Sequence, residues 1–172
     1  MNWVRQGRLQ LPEEEIEAQM FDETIEAMEK KGRHQYEVSN FALTGKESQH
    51  NLAYWNNDHY YGFGAGASGY LGQTRYKNHG PIQHYLKPLR ENQLPIVETE
   101  ELTRLNQIEE ELFLGLRKKV GISKQKFQQK FHEPIEAIYG EVIQRLIKEE
   151  LLIEEADILR LTKKGLFVGN NV

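Results

Sequence analysis

The sequence predicts an α/β portion followed by a smaller α+β portion. Three observations carry this reading. Residues 11–42 read as an amphipathic helix followed by an alternating strand, one αβ step of a larger sheet. Residues 99–162 read as three apolar-periodic helices closed by a hairpin. Between them the composition changes at 91–95, with aromatic residues and Gly dominant before it and Glu, Lys, Leu and Ile after it. The expected division is therefore 1–90, a linker at 91–95, and 96–172.

The elements follow in order. Pro12 suits a first helical turn, and Glu13, Glu14 and Glu15 favour the positive end of the helix dipole. Ile16, Met20, Ile25 and Met28 keep helical spacing, and Gly32 supplies the stop. Gln35-Tyr36-Glu37-Val38-Ser39-Asn40-Phe41-Ala42 alternates and is rich in strand formers. A lone αβ step has edges that need partners, so residues 1–80 read as the end of something larger. Pro81 opens a short helix that Pro88 should end. From Thr99, read as an N-cap, a helix runs to about Lys119, and Gly121 ends it. Ser123 caps a second helix bearing Phe127 and Phe131, and Pro134 opens a third bearing Ile135, Ile138, Val142 and Leu146. Residues 151–162 form two short strands about a tight turn carrying Asp157. Three helices and a terminal hairpin predict a winged helix.

The centre of the chain is chemically the richest stretch. His50-Asn51-Leu52-Ala53-Tyr54-Trp55 sets an imidazole, a carboxamide, a phenol and an indole within six positions. An imidazole can ligate a metal or haem iron, and aromatic rings bury flat surfaces. Next comes Tyr61-Gly62-Phe63-Gly64-Ala65-Gly66-Ala67-Ser68, a run too poor in large side chains to pack a core, so something should come close to its backbone. The bland alternative is a core anchor followed by a tightly packed strand. As a dinucleotide fingerprint the glycine spacing is weak, because no acidic residue or helix follows where that motif requires them.

Composition excludes several classes. The net charge is -4, which gives no bulk attraction to nucleic acid or anionic membrane. No cysteine occurs among the 172 residues, so no disulfide, thiolate nucleophile or thiolate-held cluster can be built from this chain. No apolar run is long enough to span a membrane, and the start of the chain lacks the apolar core of a signal peptide, so a cytoplasmic protein is expected.

The runs at 35–42, 47–55 and 61–67, together with Leu161-Thr162-Lys163-Lys164-Gly165-Leu166-Phe167, resemble the C-terminal half of the HemW family. These are radical SAM haem chaperones long described as oxygen-independent coproporphyrinogen III oxidase-like proteins. The resemblance implies the last αβ elements of a partial radical SAM barrel at 1–90 and a winged-helix-like domain of HemN C-terminal type at 96–172. It implies haem as ligand, and S-adenosylmethionine with a [4Fe-4S] cluster in the full-length protein. The family's CxxxCxxC motif is missing here, so the resemblance implies a truncated or partial reading frame, inactive alone. A second departure is Ser68, where the family pattern carries His, which leaves that position's role open and draws attention to His50, His79 and His84.

By the same resemblance His50 is a haem axial ligand, with Asn51, Tyr54 and Trp55 around it; the alternative is a His that only anchors a loop. Gly64, Ala65, Gly66, Ala67 and Ser68 would form the last barrel strand, on the S-adenosylmethionine side. His79 and His84 read as surface residues, and Arg117, Lys118 and Lys119 as cations suited to a helix C-terminus rather than a phosphate site. The implied partners are haem-accepting proteins, peripheral membrane proteins among them, and a dimer through an exposed sheet edge. Two other functions compete. One is an oxygen-independent coproporphyrinogen III oxidase. The other is a winged-helix module for nucleic acid or protein docking, whose nucleic-acid form is disfavoured because acidic residues outnumber basic ones in 96–172.

Overall fold

The computed structural model describes residues 2–8 and 10–170. Its elements, in order, are α1 (Asn2–Arg5), α2 (Glu14–Glu29), β1 (His34–Glu37), β2 (Asn40–Ala42), α3 (Gln49–Trp55), β3 (Ser68–Leu71), β4 (Thr74–Asn78), α4 (Ile82–Arg90), β5 (Ile96–Glu101), α5 (Arg104–Leu116), β6 (Ile122–Ser123), α6 (Lys124–Phe131), α7 (Ile135–Lys148), β7 (Leu152–Glu155), β8 (Ile158–Leu161) and α8 (Lys163–Asn170). The strands form three small sheets, ordered β1-β2, β3-β4-β5 and β6-β8-β7. All pairings are antiparallel. The content is mixed α and β, as expected.

The single strand expected over 35–42 folds as a hairpin instead. Glu37 is the cause: its carboxylate accepts from the Ser39 N–H at 3.2 Å and from Asn40 Nδ2 at 2.5 Å, which closes a turn at 38–39. The faces are also inverted relative to the hydropathy pattern, because Gln35 and Glu37 are buried while Tyr36 is only partly covered. These residues therefore make a hairpin rather than one parallel αβ step.

Residues 91–95, the expected linker, connect α4 to β5. β5 pairs with β4 through Thr74 and Glu101, Tyr76 and Thr99, and Asn78 and Ile96, so residues 96–101 complete the sheet that precedes them. β5 is an edge strand bearing Glu98, Glu100 and Glu101. Thr99 accordingly lies in a strand. The cap of α5 is Thr103, whose hydroxyl accepts from the Asn106 N–H while the Asn106 side chain accepts from the Thr103 N–H. Pro88 does not end α4, which runs to Arg90. The proline forfeits a single bond, from the N–H that would reach the His84 carbonyl, and the helix ends two residues later.

The principal core lies after residue 102. Ile108, Ile122, Phe127, Phe131, Ile135, Ile143, Leu152 and Leu159 are buried together where α5, α6 and α7 meet the β6-β8-β7 sheet. Gly121 ends the α5 turn with φ 73°, and a Cβ there would collide with the Leu159 carbonyl. The region joins the rest of the chain through the Arg75–Glu110 ion pair at 2.6 Å. It also joins β1 through backbone bonds, Val38 N–H to Arg117 and Lys119 N–H to Tyr36, both at 3.1 Å.

Candidate functional site

Ser48 starts α3 by accepting from the Asn51 N–H at 3.3 Å. On this helix the His-Asn-x-x-Tyr-Trp spacing resolves into two pairs four residues apart, each on its own face. Asn51 and Trp55 face inward. Asn51 Nδ2 donates to the Tyr36 hydroxyl at 3.2 Å, and the Arg117 guanidinium lies 4.9 Å from the Trp55 ring centre. His50 and Tyr54 lie on the neighbouring face, Tyr54 half-buried. His50 is exposed, and its ring stands edge-on to Tyr54 at 4.8 Å, which in turn meets Tyr60 edge-on at 4.6 Å. Asn51 and Trp55 thus seat the helix, while the His50 ring stays exposed.

Tyr60 carries this aromatic chain to the sheet by exchanging backbone hydrogen bonds with Tyr70 at 2.8 and 2.9 Å. Burial pushes the Tyr60 phenol above its ordinary range, against the opposing charge of Arg75. Arg75 lies over the Tyr70 ring at 5.0 Å and binds Glu110. Burial alone would depress it, yet the Glu110 hydrogen bond and charge outweigh that and hold it above the usual arginine value. The Arg75 guanidinium binds Glu110 through Nη2, while its buried Nε has no hydrogen-bond partner.

The Gly-rich run is not a strand. Residues 62–67 form a loop, and β3 begins only at Ser68, which is exposed. Gly64 and Gly66 have φ of 103° and 73°, backbone that favours glycine. Gly62 is required by the chain itself, since a Cβ there would strike the Ser68 carbonyl. The close backbone approach expected from composition is therefore met by the protein's own main chain. Two residues that sequence reasoning missed hold the loop in place. Asn78, 4% exposed, donates from Nδ2 to the Gly62 and Gly64 carbonyls, both at 3.0 Å, and the Tyr76 hydroxyl accepts from the Gly62 N–H at 2.8 Å. Their only sequence signal is the shared strand parity of Thr74, Tyr76 and Asn78.

His79 is half-buried and His84 exposed, with ring centres 6.0 Å apart. Lys119 pairs with Glu29 at 3.5 Å, and Lys118 donates to Asn56 Oδ1 at 2.7 Å, with burial lowering its pKa. The basic run thus ties α5 to its neighbours. Among the described residues no three His, Asp or Glu side chains converge to hold a metal ion, and without cysteine the chain offers nothing to an iron-sulfur cluster. An exposed imidazole fits a single axial bond to haem iron. Among the described residues no helix is long and apolar enough to cross a membrane.

This geometry falls within a known class. The fold matches that of coproporphyrinogen III oxidase (HemN) from Escherichia coli, a radical SAM enzyme, with a TM-score of 0.71 at 16% identity, covering 98% of this chain and 43% of that one. Residues 102–168 match the HemN C-terminal domain family model. Two of the particular relatives are haem chaperones. The chain is 48% identical over 172 residues to heme chaperone HemW of Lactococcus lactis and 45% identical over 171 residues to heme chaperone HemW of Bacillus subtilis. It is also 32% identical over 178 residues to the mitochondrial radical S-adenosyl methionine domain-containing protein 1 of Mus musculus. These alignments cover 100%, 99% and 96% of this chain and 45%, 45% and 40% of the relatives. The chain thus spans less than half the length of the curated relatives it matches, and it is similar to the C-terminal portion of the HemW proteins.

Proposed function

We propose that this chain is the haem-side portion of a haem-delivering protein of the HemW kind, with His50 as axial ligand to the iron and Tyr54 beside the ring. One observation carries the reading: a chain that aligns over its whole length with part of a heme chaperone presents, at the outer end of its Tyr60-Tyr54-His50 aromatic ladder, an exposed imidazole on a helix whose other face is anchored. In this reading residues up to 101 are the closing elements of a radical SAM barrel, and residues beyond are winged-helix-like and serve as a lid or docking surface for haem-accepting proteins in the cytoplasm, peripheral membrane proteins among them. The iron-sulfur cluster is supplied by the part of the longer protein that carries cysteines. S-adenosylmethionine then lies on the side of Gly64, Ala65, Gly66, Ala67 and Ser68, where Ala65, Gly66 and Ser68 are exposed.

Haem titration followed at the Soret band tests this. His50→Ala is expected to weaken binding and shift the band, because an iron-nitrogen bond has no substitute in a methyl group. Trp55→Phe is expected to do less, since a ring face still meets Arg117. An unchanged spectrum and affinity in His50→Ala would reduce His50 to a loop anchor.

A further inference from the structure

A polar cleft of about 310 Å³ opens where the residues just past α3, the end of α5 and the start of α6 meet. Ile122 and Phe127 of the core line it from within. Asn56, Asp58, Glu111, Lys118, Lys126 and Lys130 supply its polar groups, and none of them has a part in the haem reading above.

The three lysines are placed differently. Lys130 is held by Glu111 at 2.6 Å. Lys126 is exposed and among the described residues forms no ion pair. Lys118, just past the end of α5, is half-buried, and its Nζ donates to the neutral Asn56 Oδ1 at 2.7 Å instead of to a carboxylate. The backbone fixes where that side chain starts, because the Lys118 N–H donates to the Gly115 carbonyl at 3.2 Å and the residue bridges to Glu37. Burial pushes the Lys118 amine below the ordinary lysine range, and the charges of Lys126 and Lys130 push the same way, against Glu111 and Asp58. A lysine so placed keeps more of its amine unprotonated at neutral pH than an exposed lysine does, and the free amine is the nucleophile.

The charges around the cleft orient a reactant. Asn56 and Asp58 lie on the α3 side, Lys126 and Lys130 on the α6 side. Since Lys130 is neutralised by Glu111, Lys126 is the cation left to meet an anionic group, and Asp58 turns that group toward α6.

We propose that Lys118 is an acylation site, whose amine, reached through this cleft, takes the acyl group of a small acyl phosphate while Lys126 meets the phosphate. The nitrogen lone pair forms a C–N bond at the carbonyl carbon and the C–O bond to phosphate breaks. Inorganic phosphate leaves with that electron pair, and the proton shed by nitrogen passes to water. The amide product loses the charge of Lys118 but keeps one N–H for Asn56 Oδ1.

The probe is acetyl phosphate, applied to the chain at neutral pH with site occupancies followed by peptide mass spectrometry. Lys118 is expected to acetylate about threefold or more faster than Lys46 and Lys87, which are exposed. In guanidinium chloride strong enough to unfold the chain that excess should vanish, because it belongs to the fold. Lys126→Gln, a change at an exposed position, should slow the reaction of Lys118 with acetyl phosphate by about threefold or more. Its reaction with the uncharged N-hydroxysuccinimidyl acetate should change by less than about twofold, since that reagent carries no phosphate to be met. Lys118 reacting no faster than Lys46 and Lys87, an excess that survives unfolding, or a Lys126→Gln variant that treats the two reagents alike overturns the proposal.

Discussion

Asn78 shows how much one side chain can fix. Its amide is buried, and it satisfies two carbonyls of a loop that has no secondary structure of its own. Asn78→Ala removes both donors and leaves two acceptors to be rehydrated or left unmade, an expected loss of about 1–3 kcal/mol. Urea denaturation measures it, and a change under about 0.5 kcal/mol, the level of ordinary surface substitutions, would show that the loop holds itself. The residue escaped sequence reasoning because an Asn after an alternating strand looks like a turn residue, and its partners sixteen and fourteen positions earlier are brought near only by the fold. By contrast the two faces of the His50 segment were implicit in its spacing. Once the stretch is a helix, positions 50 and 54 must share one face and 51 and 55 another. Which face is solvent was decided by Tyr36 and Arg117.

At the scale of elements, α6 and the β7-β8 hairpin are tied by charge. Ser123 caps α6 by accepting from Lys126 N–H at 3.1 Å and donates to Asp157 at 2.5 Å, and Asp157 also accepts from Gln125 N–H at 2.8 Å. Lys124 reaches Glu136 of α7 at 2.9 Å and Glu154 of β7. The Ser123 hydroxyl and the Gln125 N–H hold Asp157 below the usual carboxylate range, and the Lys124 hydrogen bond does so for Glu136. Both folded values lie below the unfolded ones near ~4, so the unfolded state binds more protons in acid. The stabilisation is complete above about pH 5 and is lost as pH falls through the folded values. Urea midpoints should hold steady from neutral pH to about 5 and then decline, and Asp157→Asn should flatten the decline. A midpoint that rises on acidification contradicts this account. The sequence pointed to Ser123 as a cap and to a turn at Asp157, but nothing local could pair them across thirty-four positions.

The whole molecule is unevenly built. Among the described residues every buried apolar side chain except Val38 and Tyr70 lies at or beyond Leu102, while α2 leaves Ile16 and Met20 half exposed. The β1-β2 hairpin is a two-stranded sheet, marginal without packing. Hydrogen exchange should therefore find the amides of 108–161 better protected than those of 34–42, because opening the hairpin exposes little apolar surface. Equal protection of the two would mean that the Val38–Arg117 and Tyr36–Lys119 backbone bonds couple them into one cooperative unit.

The sequence by itself determined the body of α5, all of α6 and α7 with their apolar stripes, and the β7-β8 hairpin, because these depend on periodicity and on caps within a few residues; it did not show that the cap of α5 is Thr103 or that α8 follows the hairpin. It also determined the family resemblance, since the motifs at 35–42, 47–55, 61–67 and 161–167 are contiguous strings. Only the tertiary structure decided that residues 35–42 fold back as a hairpin, that residues 96–101 belong to the preceding sheet and that the Gly-rich run is a loop. Each of these rests on a side chain or strand distant in sequence from the segment it organises, or on a turn closed by one carboxylate, Glu37, buried against the expectation for its charge. Strand pairing is a contact between segments, and a segment's own residues specify which face it buries more readily than which partner it finds.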